Sequence, residues 1–390
     1  MKLKLKNTPE QVELIKAMGS RDPGVAREAQ EAFAAFLGPV IRQVLNQAAT
    51  AGAIFTDSLY DEDDSPSFPL DLYYNESTNY ITVWSQGMAG GLPTSTDVSA
   101  IQELKIGTYR LDSAVSFMKR YARRARLDVV SKGIERMAQE VLVKQERNAW
   151  AVVLRALAEA SSKGVASGGL GITSLKAKTH VIPAQVESLF QLHDMNRLML
   201  LNKRINESFA DGTPDNAYSD GITDMYVSPE IMMQIREFAY QPMNTRAADN
   251  TPGGTASDGI ALPDNVRERI FHAAGMQEIY GVAITQLNEL GSGKKYNQLF
   301  DTFDSGNIAP NGTASAHGFV ESTDELLVGV DNSKGAFIRA LAQQSDTGGT
   351  FSVLPDDQFA SRADKVGFYG SLEEGRLLLD GRAVCGLVLA

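Results

Sequence analysis

FMKRYARRARLDVVSKGIERMAQEVLVKQERNAWAVVLRALAEA, residues 117–160, is the longest periodic stretch in the chain, and its reading organises the rest. Apolar side chains recur at spacings of three and four: Tyr121, Ala125, Val129, Ile134, Met137, Val141, Leu142, Trp150, Val153, Leu154 and Leu157. That spacing marks one face of an α-helix. The stretch has no proline and a single glycine, Gly133. It predicts a helix from about Asp128 to Ser161, on the order of 50 Å long at ~1.5 Å per residue. For residues 117–127 helix and strand both stay open. Gly164 to Gly171 (GVASGGLG) ends the helix in a glycine-rich loop.

The same stretch opens a basic region. From Lys105 to Arg155 there are twelve Lys and Arg against five Asp and Glu. Six of the twelve crowd together at Lys119, Arg120, Arg123, Arg124, Arg126 and Lys132. Immediately before it, from Gln43 to Leu104, 62 residues hold no Lys or Arg and nine acids, among them Asp61, Glu62, Asp63 and Asp64. Two adjoining blocks of opposite sign point to two surfaces that complement each other. The net charge of −11 argues against a DNA-binding module.

Upstream, the first fifty residues read as helical. Thr8-Pro9-Glu10-Gln11 has the form of an N-cap with Pro at the first helical position. Asp22-Pro23 restarts the pattern, with Ala26, Ala29, Phe33, Phe36 and Leu37 on one face. Gly38-Pro39 is expected to interrupt it before Val40 to Ala48 resume. This arm has little to pack on within itself, so it must lie on the rest of the chain or on a neighbour. Between residues 55 and 110 the character becomes extended. Asp61 to Pro66 reads as a turn or loop, and Leu70 to Tyr74 and Tyr80 to Trp84 read as two strands of a hairpin. An isolated hairpin is marginal in water, so this segment too needs an external surface.

Downstream the pattern is mixed α/β. Val186 to Ile205 and Pro229 to Phe238 read as helices, and Asp224 to Ser228 as a buried strand ending in an N-cap serine. Thr245 to Gly259 and Gly291 to Ala316 read as polar loops. Gly367 to Asp380 and Ala383 to Leu389 read as strands around a turn. Length suggests about two to three domains. No run approaches the roughly 18 apolar residues needed to cross a bilayer. The N-terminus, Met1 to Lys6, lacks the apolar run of a secretory signal. The lone Cys385 forms no internal disulfide and, between Val384 and Leu387, reads as a buried thiol.

A search for chemistry returns little. His180, His193, His272 and His317 share no metal-ligand spacing. Gly291-Ser292-Gly293-Lys294-Lys295 has the outline of a phosphate loop. It lacks the first glycine, with Asn288 there, and Lys295 replaces the hydroxyl residue that would hold magnesium. The acids at 61–64 lack the alternation and central glycine of a calcium loop. No nucleophile elbow or dinucleotide fingerprint occurs. We therefore expect no catalytic residue, no metal and no cofactor.

The order of elements, together with Tyr226-Val227-Ser228-Pro229-Glu230-Ile231 and the segment from Gly367-Phe368-Tyr369-Gly370 through Asp380-Gly381-Arg382-Ala383-Val384, resembles the tailed-phage major capsid family. That resemblance implies an α+β fold of the Hong Kong 97 type. It would comprise an N-terminal arm (1–54), a β-hairpin E-loop (55–110), a peripheral domain with a spine helix (111–175), an axial domain (176–364) and closing strands that return to the peripheral domain (365–390). It implies a non-enzymatic shell subunit that self-assembles as hexamers and pentamers around double-stranded DNA. The implied partners are a separate scaffolding protein, a portal protein and, optionally, decoration proteins, with no membrane. Assembly would take place in the host bacterial cytoplasm and the product would be the virion capsid. Some members cross-link through an E-loop lysine, and residues 43–104 contain none. The charge map adds that Asp61, Glu62, Asp63 and Asp64 face Arg120, Arg123, Arg124 and Arg126 of an adjacent subunit. Lys2, Lys4 and Lys6 are candidates to face the packaged DNA through phosphate contacts. Two alternatives remain at this level. An encapsulin-type nanocompartment shell would be marked by a cargo-enzyme gene nearby, and a soluble α/β enzyme by a small oligomer on a sizing column.

Overall fold

The computed structural model describes residues 9–47, 50–61, 65–69, 103–124, 127–159, 180–186, 188–205, 221–237, 278–304, 319–343, 350–356, 364–379 and 381–389. The chain divides into two compact units. The described residues of the first fall within Met1–Pro69, Gln102–Ala149 and Ile338–Leu377, and those of the second within Trp150–Phe337 and Leu378–Ala390.

The first unit begins with two helices, α1 (Pro9–Met18) and α2 (Pro23–Gln47), each opened by a proline whose missing N–H costs nothing at that position. Contrary to the expectation at Gly38-Pro39, α2 runs through that pair to Gln47. Pro39 takes the helical partner from the Ala35 carbonyl and its ring crowds that group, and Ala35 is exposed, so the carbonyl can turn outward to water. Strands β1 (Thr56–Asp61), β2 (Ser67–Pro69), β3 (Glu103–Lys105) and β4 (Thr108–Met118) follow. The open stretch 117–127 resolves into the end of β4 and a short helix α3 (Lys119–Arg123). The long helix α4 spans Leu127–Glu159, close to its expected bounds. Its residues up to Ala149 belong to the first unit and those from Trp150 to the second.

The sheet of the first unit is completed by β10 (Phe337–Gln343), β11 (Ser352–Asp356) and β12 (Lys365–Leu378), which arrive more than 170 residues later in the chain. β1 pairs with β10 in parallel, and β12 carries β4 and β11 antiparallel. β4 alternates exposed and half-buried residues, the period of a strand with one covered face. Val130, Ile134, Met137, Ala138 and Val141 of α4 form one core with Phe117, Phe351, Val366 and Phe368. The initial arm joins it: Ile15, Met18, Ala29 and Phe33 are buried there, Phe33 lying 5.4 Å from Phe368 between ring centroids. Ile15, Met18 and Phe33 each contribute about 1.5–3 kcal/mol on burial. Thus the arm lies on its own chain. The side chains of Phe36 and Leu37 fall outside the described residues.

A glycine sets how closely the arm seats. The Arg123 Nε–H donates to the Gly19 carbonyl at 2.7 Å, and a Cβ at residue 19 would stand 2.8 Å from both the backbone nitrogen and Cγ of Arg123. Gly19→Ala is expected to lower stability by about 1–3 kcal/mol through overpacking and to expose α1 to proteolysis. Equal melting temperature and cleavage pattern would refute this.

The second unit is built on a six-stranded mixed sheet in the order β5 (Val181–Pro183), β13 (Val384–Leu389), β9 (Glu325–Val330), β6 (Asp224–Val227), β8 (Val282–Gln286), β7 (Glu278–Ile279). The strands expected around the turn at Asp380 to Arg382 are β12 and β13. They flank a 3-10 turn (Gly381–Ala383) and join different sheets. Helix α6 (Pro229–Glu237) follows β6, and the Ser228 hydroxyl accepts the Ile231 N–H at 3.2 Å, the expected cap.

Two expectations here need correction. The helix placed at 186–205 begins at Leu192 (α5, Leu192–Ile205). Ser188 has a left-handed φ of 58°, and the buried Asp194 carboxylate accepts the Gln185 and Gln191 N–H groups, holding the chain off the helix until that point. The loop placed at 291–316 contains a helix, α7 (Lys295–Asp304). Tyr296 and Phe300 are buried one turn apart, and Phe300 meets Phe319 edge-on at 5.0 Å.

Candidate interaction surfaces

The sequence motifs for chemistry are absorbed by structure. At Gly291 to Lys294 the amides that would cradle a phosphate are already paired. Gly291 N–H donates to Asn297 Oδ1, Ser292 N–H to the Glu325 carboxylate at 2.8 Å, and Gly293 N–H to the Glu321 carbonyl. A carboxylate stands where an anion would bind. His180 is buried with Nδ1 3.0 Å from the Val384 carbonyl oxygen, and His193 is exposed. Cys385 is fully buried, and burial first, then the nearby Asp331, pushes its thiol well above the ordinary range, so it stays protonated and inert. Among the described residues no cluster of three or more His, Cys, Asp or Glu could hold a metal. No helix among them is long and apolar enough to cross a membrane.

The acidic segment is anchored at both ends. Asp61 is exposed at the end of β1, while Glu62, Asp63 and Asp64 lie outside the described residues, as do the strands expected at 70–74 and 80–84 and the loop expected at 245–259. Arg339 grips Asp57 with two bonds of 2.6 Å from Nε and Nη2. The Thr50 hydroxyl and the Ala51 N–H both donate to the Glu146 carboxylate on α4. Adjacent glutamates on β12 hold the two limbs. Glu373 accepts the Tyr60 hydroxyl of β1 at 3.2 Å, and Glu374 accepts the Tyr109 hydroxyl of β4 at 2.6 Å. Glu374 also accepts Gln145 Nε2 at 3.0 Å and pairs with Arg376, whose side chain is 3% exposed and lies over the Phe55 ring. Sequence reading missed all these residues. The one available signal was Glu373-Glu374 standing with Arg376 in a strand of mostly uncharged residues.

The basic cluster divides. Arg120 is exposed, with its guanidinium 5.1 Å over the Tyr121 ring, and Arg124 is exposed at the end of α3. Arg123 is engaged inside the unit, with Gly19 and, at 3.9 Å, with Asp364. Arg126 and Lys2, Lys4 and Lys6 lie outside the described residues. No ion pair joins Asp61 to Arg120, Arg123 or Arg124.

No protein-family model matches the sequence, and no curated protein matches it. Among solved structures, the chain is similar to the capsid of a native GTA particle, at 13% identity over 87% of this chain and 89% of that one, with a TM-score of 0.48. It is similar to the capsid of the cyanophage P-SCSP1u at 14% identity, 86% of each chain and a TM-score of 0.46. It is also similar to the SrpI encapsulin complex from Synechococcus elongatus PCC 7942, at 10% identity, 74% and 75% coverage and a TM-score of 0.38.

Proposed function

We propose that the chain is a major capsid protein that assembles as hexamers and pentamers into the head of a tailed phage, enclosing double-stranded DNA. The observation that carries this reading is the order of elements. A helical arm, a strand leaving for a long acidic segment, its return through β4 and a 33-residue helix are followed by a separate mixed-sheet unit, and then by the strands that complete the first sheet. That order parallels the arm, E-loop, spine helix and axial domain of the Hong Kong 97 type, with α4 as the spine. The implied partners are other copies of the chain, a scaffolding protein, a portal protein, decoration proteins where present, and DNA contacted by Lys2, Lys4 and Lys6. Negative-stain microscopy of the purified protein tests the reading: closed shells or capsomers are expected, and a small uniform oligomer would overturn it. Shells carrying protein cargo and no DNA would favour a nanocompartment.

Such a shell is held without covalent links, since residues 43–104 contain no lysine and Lys105 sits in β3 at the loop's base. Boiled particles should run in detergent as one band near 42.2 kDa, and a ladder would refute this.

The acidic segment docks on the basic surface of an adjacent subunit. Each exposed pair contributes only about 0–1 kcal/mol and weakens with salt. Several pairs on every subunit nevertheless govern register and assembly rate. Reversing Asp61, Glu62, Asp63 and Asp64 to lysine should block assembly while leaving a folded subunit. Reversing Arg120, Arg124 and Arg126 to glutamate in the same protein should restore part of it. Arg123 is left out of the compensating set because it holds Gly19. Normal assembly of the acid-reversed protein at low ionic strength would dismiss the docking.

A further inference from the structure

We infer that the outer edge of β4 pairs antiparallel, about a local two-fold axis, with β4 of a second copy of this chain. The register of β4 with β12 runs unbroken from Thr108↔Gly375 to Met118↔Lys365, and β12 is its only sheet partner among the described residues. Proteins protect a long free edge with charged side chains, lysine above all, with proline, a bulge or an inward-pointing charge. The strand TYRLDSAVSFM has no proline, lysine or bulge, and its two charges, Arg110 and Asp112, are of opposite sign and lie on the outer face. Its covered face carries Tyr109, Leu111, Ser113, Val115 and Phe117, all uncharged. Leu111 and Val115 pack on the core yet remain half-buried, leaving apolar surface at the margin of the sheet.

The charges select the partner and the register. Arg110 and Asp112 are the only charged residues of β4. They share its outer face, half exposed, and pair with each other at 2.9 Å. Self-pairing centred on Arg110 or Asp112 would set like charges opposite, which is unfavourable. Centred on Leu111, it sets Arg110 of each copy opposite Asp112 of the other, twice, and Leu111 against Leu111 on the covered face. The edge is therefore complementary to itself. This inference rests on the shell reading for its second copy, which assembly would bring to high local concentration.

Co-expression of R110C and D112C proteins tests it. In the Leu111-centred register the two new cysteines of unlike variants face each other. Those of like variants are diagonal, about 7–8 Å apart and beyond ordinary disulfide reach. Cys385 is buried and does not compete. Oxidised particles containing both variants should give several-fold more dimer on a non-reducing gel than particles of either alone. Particles that assemble without that excess overturn the inference and leave the shell reading intact. If the wild type forms no particles, the shell reading fails, and the same gel on the soluble mixture decides the edge separately: the excess dimer supports it and its absence overturns it.

Discussion

Glu374→Ala is expected to destabilise the chain by about 3–5 kcal/mol, because it strands a buried guanidinium. Glu374 is fully buried, and its two oxygens serve three donors: Tyr109 at 2.6 Å, Gln145 at 3.0 Å and Arg376 at 3.3 Å. Without the carboxylate, Arg376 keeps its charge in a site with 3% side-chain exposure, over the Phe55 ring. The double variant Glu374→Leu, Arg376→Met removes both charges and should recover more than half of the loss. Recovery stays incomplete because Tyr109 and Gln145 lose an acceptor, at about 1–3 kcal/mol for a buried group left unpaired. Urea denaturation measures both. A single variant within about 0.5 kcal/mol of wild type, the range of an ordinary surface change, would contradict the assignment. The site also predicts alkaline lability. Burial first, then Glu374, raises the Tyr109 phenol from 10.0 to about 12, so the fold favours its protonated form. That contribution is complete below pH 10 and is lost as pH rises through about 12, and Tyr109→Phe should flatten stability across that window.

How far the fold could be read from sequence follows from the range of its interactions. Helix α4 was legible because its period is local: Ile134, Met137 and Val141 repeat whatever they pack against. Ser228-Pro229 was legible for the same reason, since a cap is settled within four residues. What escaped was pairing. The β1–β10 ladder joins residues 282 positions apart, and a strand's alternation says nothing about its partner. Hence β12 and β13, read as two strands around one turn, gave no sign that they enter different sheets. α7 escaped because its flanking glycines read as loop, although Tyr296, Leu299, Phe300 and Phe303 hold the i, i+3, i+4, i+7 spacing of a helix over two turns. The charge blocks were legible as totals, but not the use of each charge. Nothing in the order of residues distinguishes Arg123, which holds a backbone carbonyl, from the exposed Arg120 three residues earlier. Asp57, Glu146 and Glu374 likewise read as surface acids, although each holds the base of the acidic segment.

The second large effect is expected at Trp150→Ala, about 3–5 kcal/mol, by cavity formation. Trp150 has no exposed surface and is the first residue of α4 assigned to the second unit. Its ring meets Tyr226 of β6 edge-on at 4.8 Å and Tyr296 of α7 at 5.7 Å. Such aromatic pairs contribute about 0.5–1.5 kcal/mol beyond the area they bury. Val153, Leu154 and Leu157 continue the same face with no exposure, and a Cβ on Gly386 of β13 would stand 3.0 Å from Leu157 Cδ2. With strand and helix already that close, the surroundings have little freedom to collapse into the space the indole leaves, so the cavity should persist. Trp150→Phe retains a ring against both tyrosines and should lose less. Since Trp150 is one of only two tryptophans, far-UV circular dichroism is the suitable probe for urea denaturation. Against a total stability of about 5–15 kcal/mol the alanine variant gives up a large share, so its yield of assembled particles should fall with its denaturation midpoint. A loss under about 1 kcal/mol, typical of an uncrowded position, would show that Trp150 is not packed between β6 and α7, and a full loss in the phenylalanine variant would show that ring contact is not what holds it.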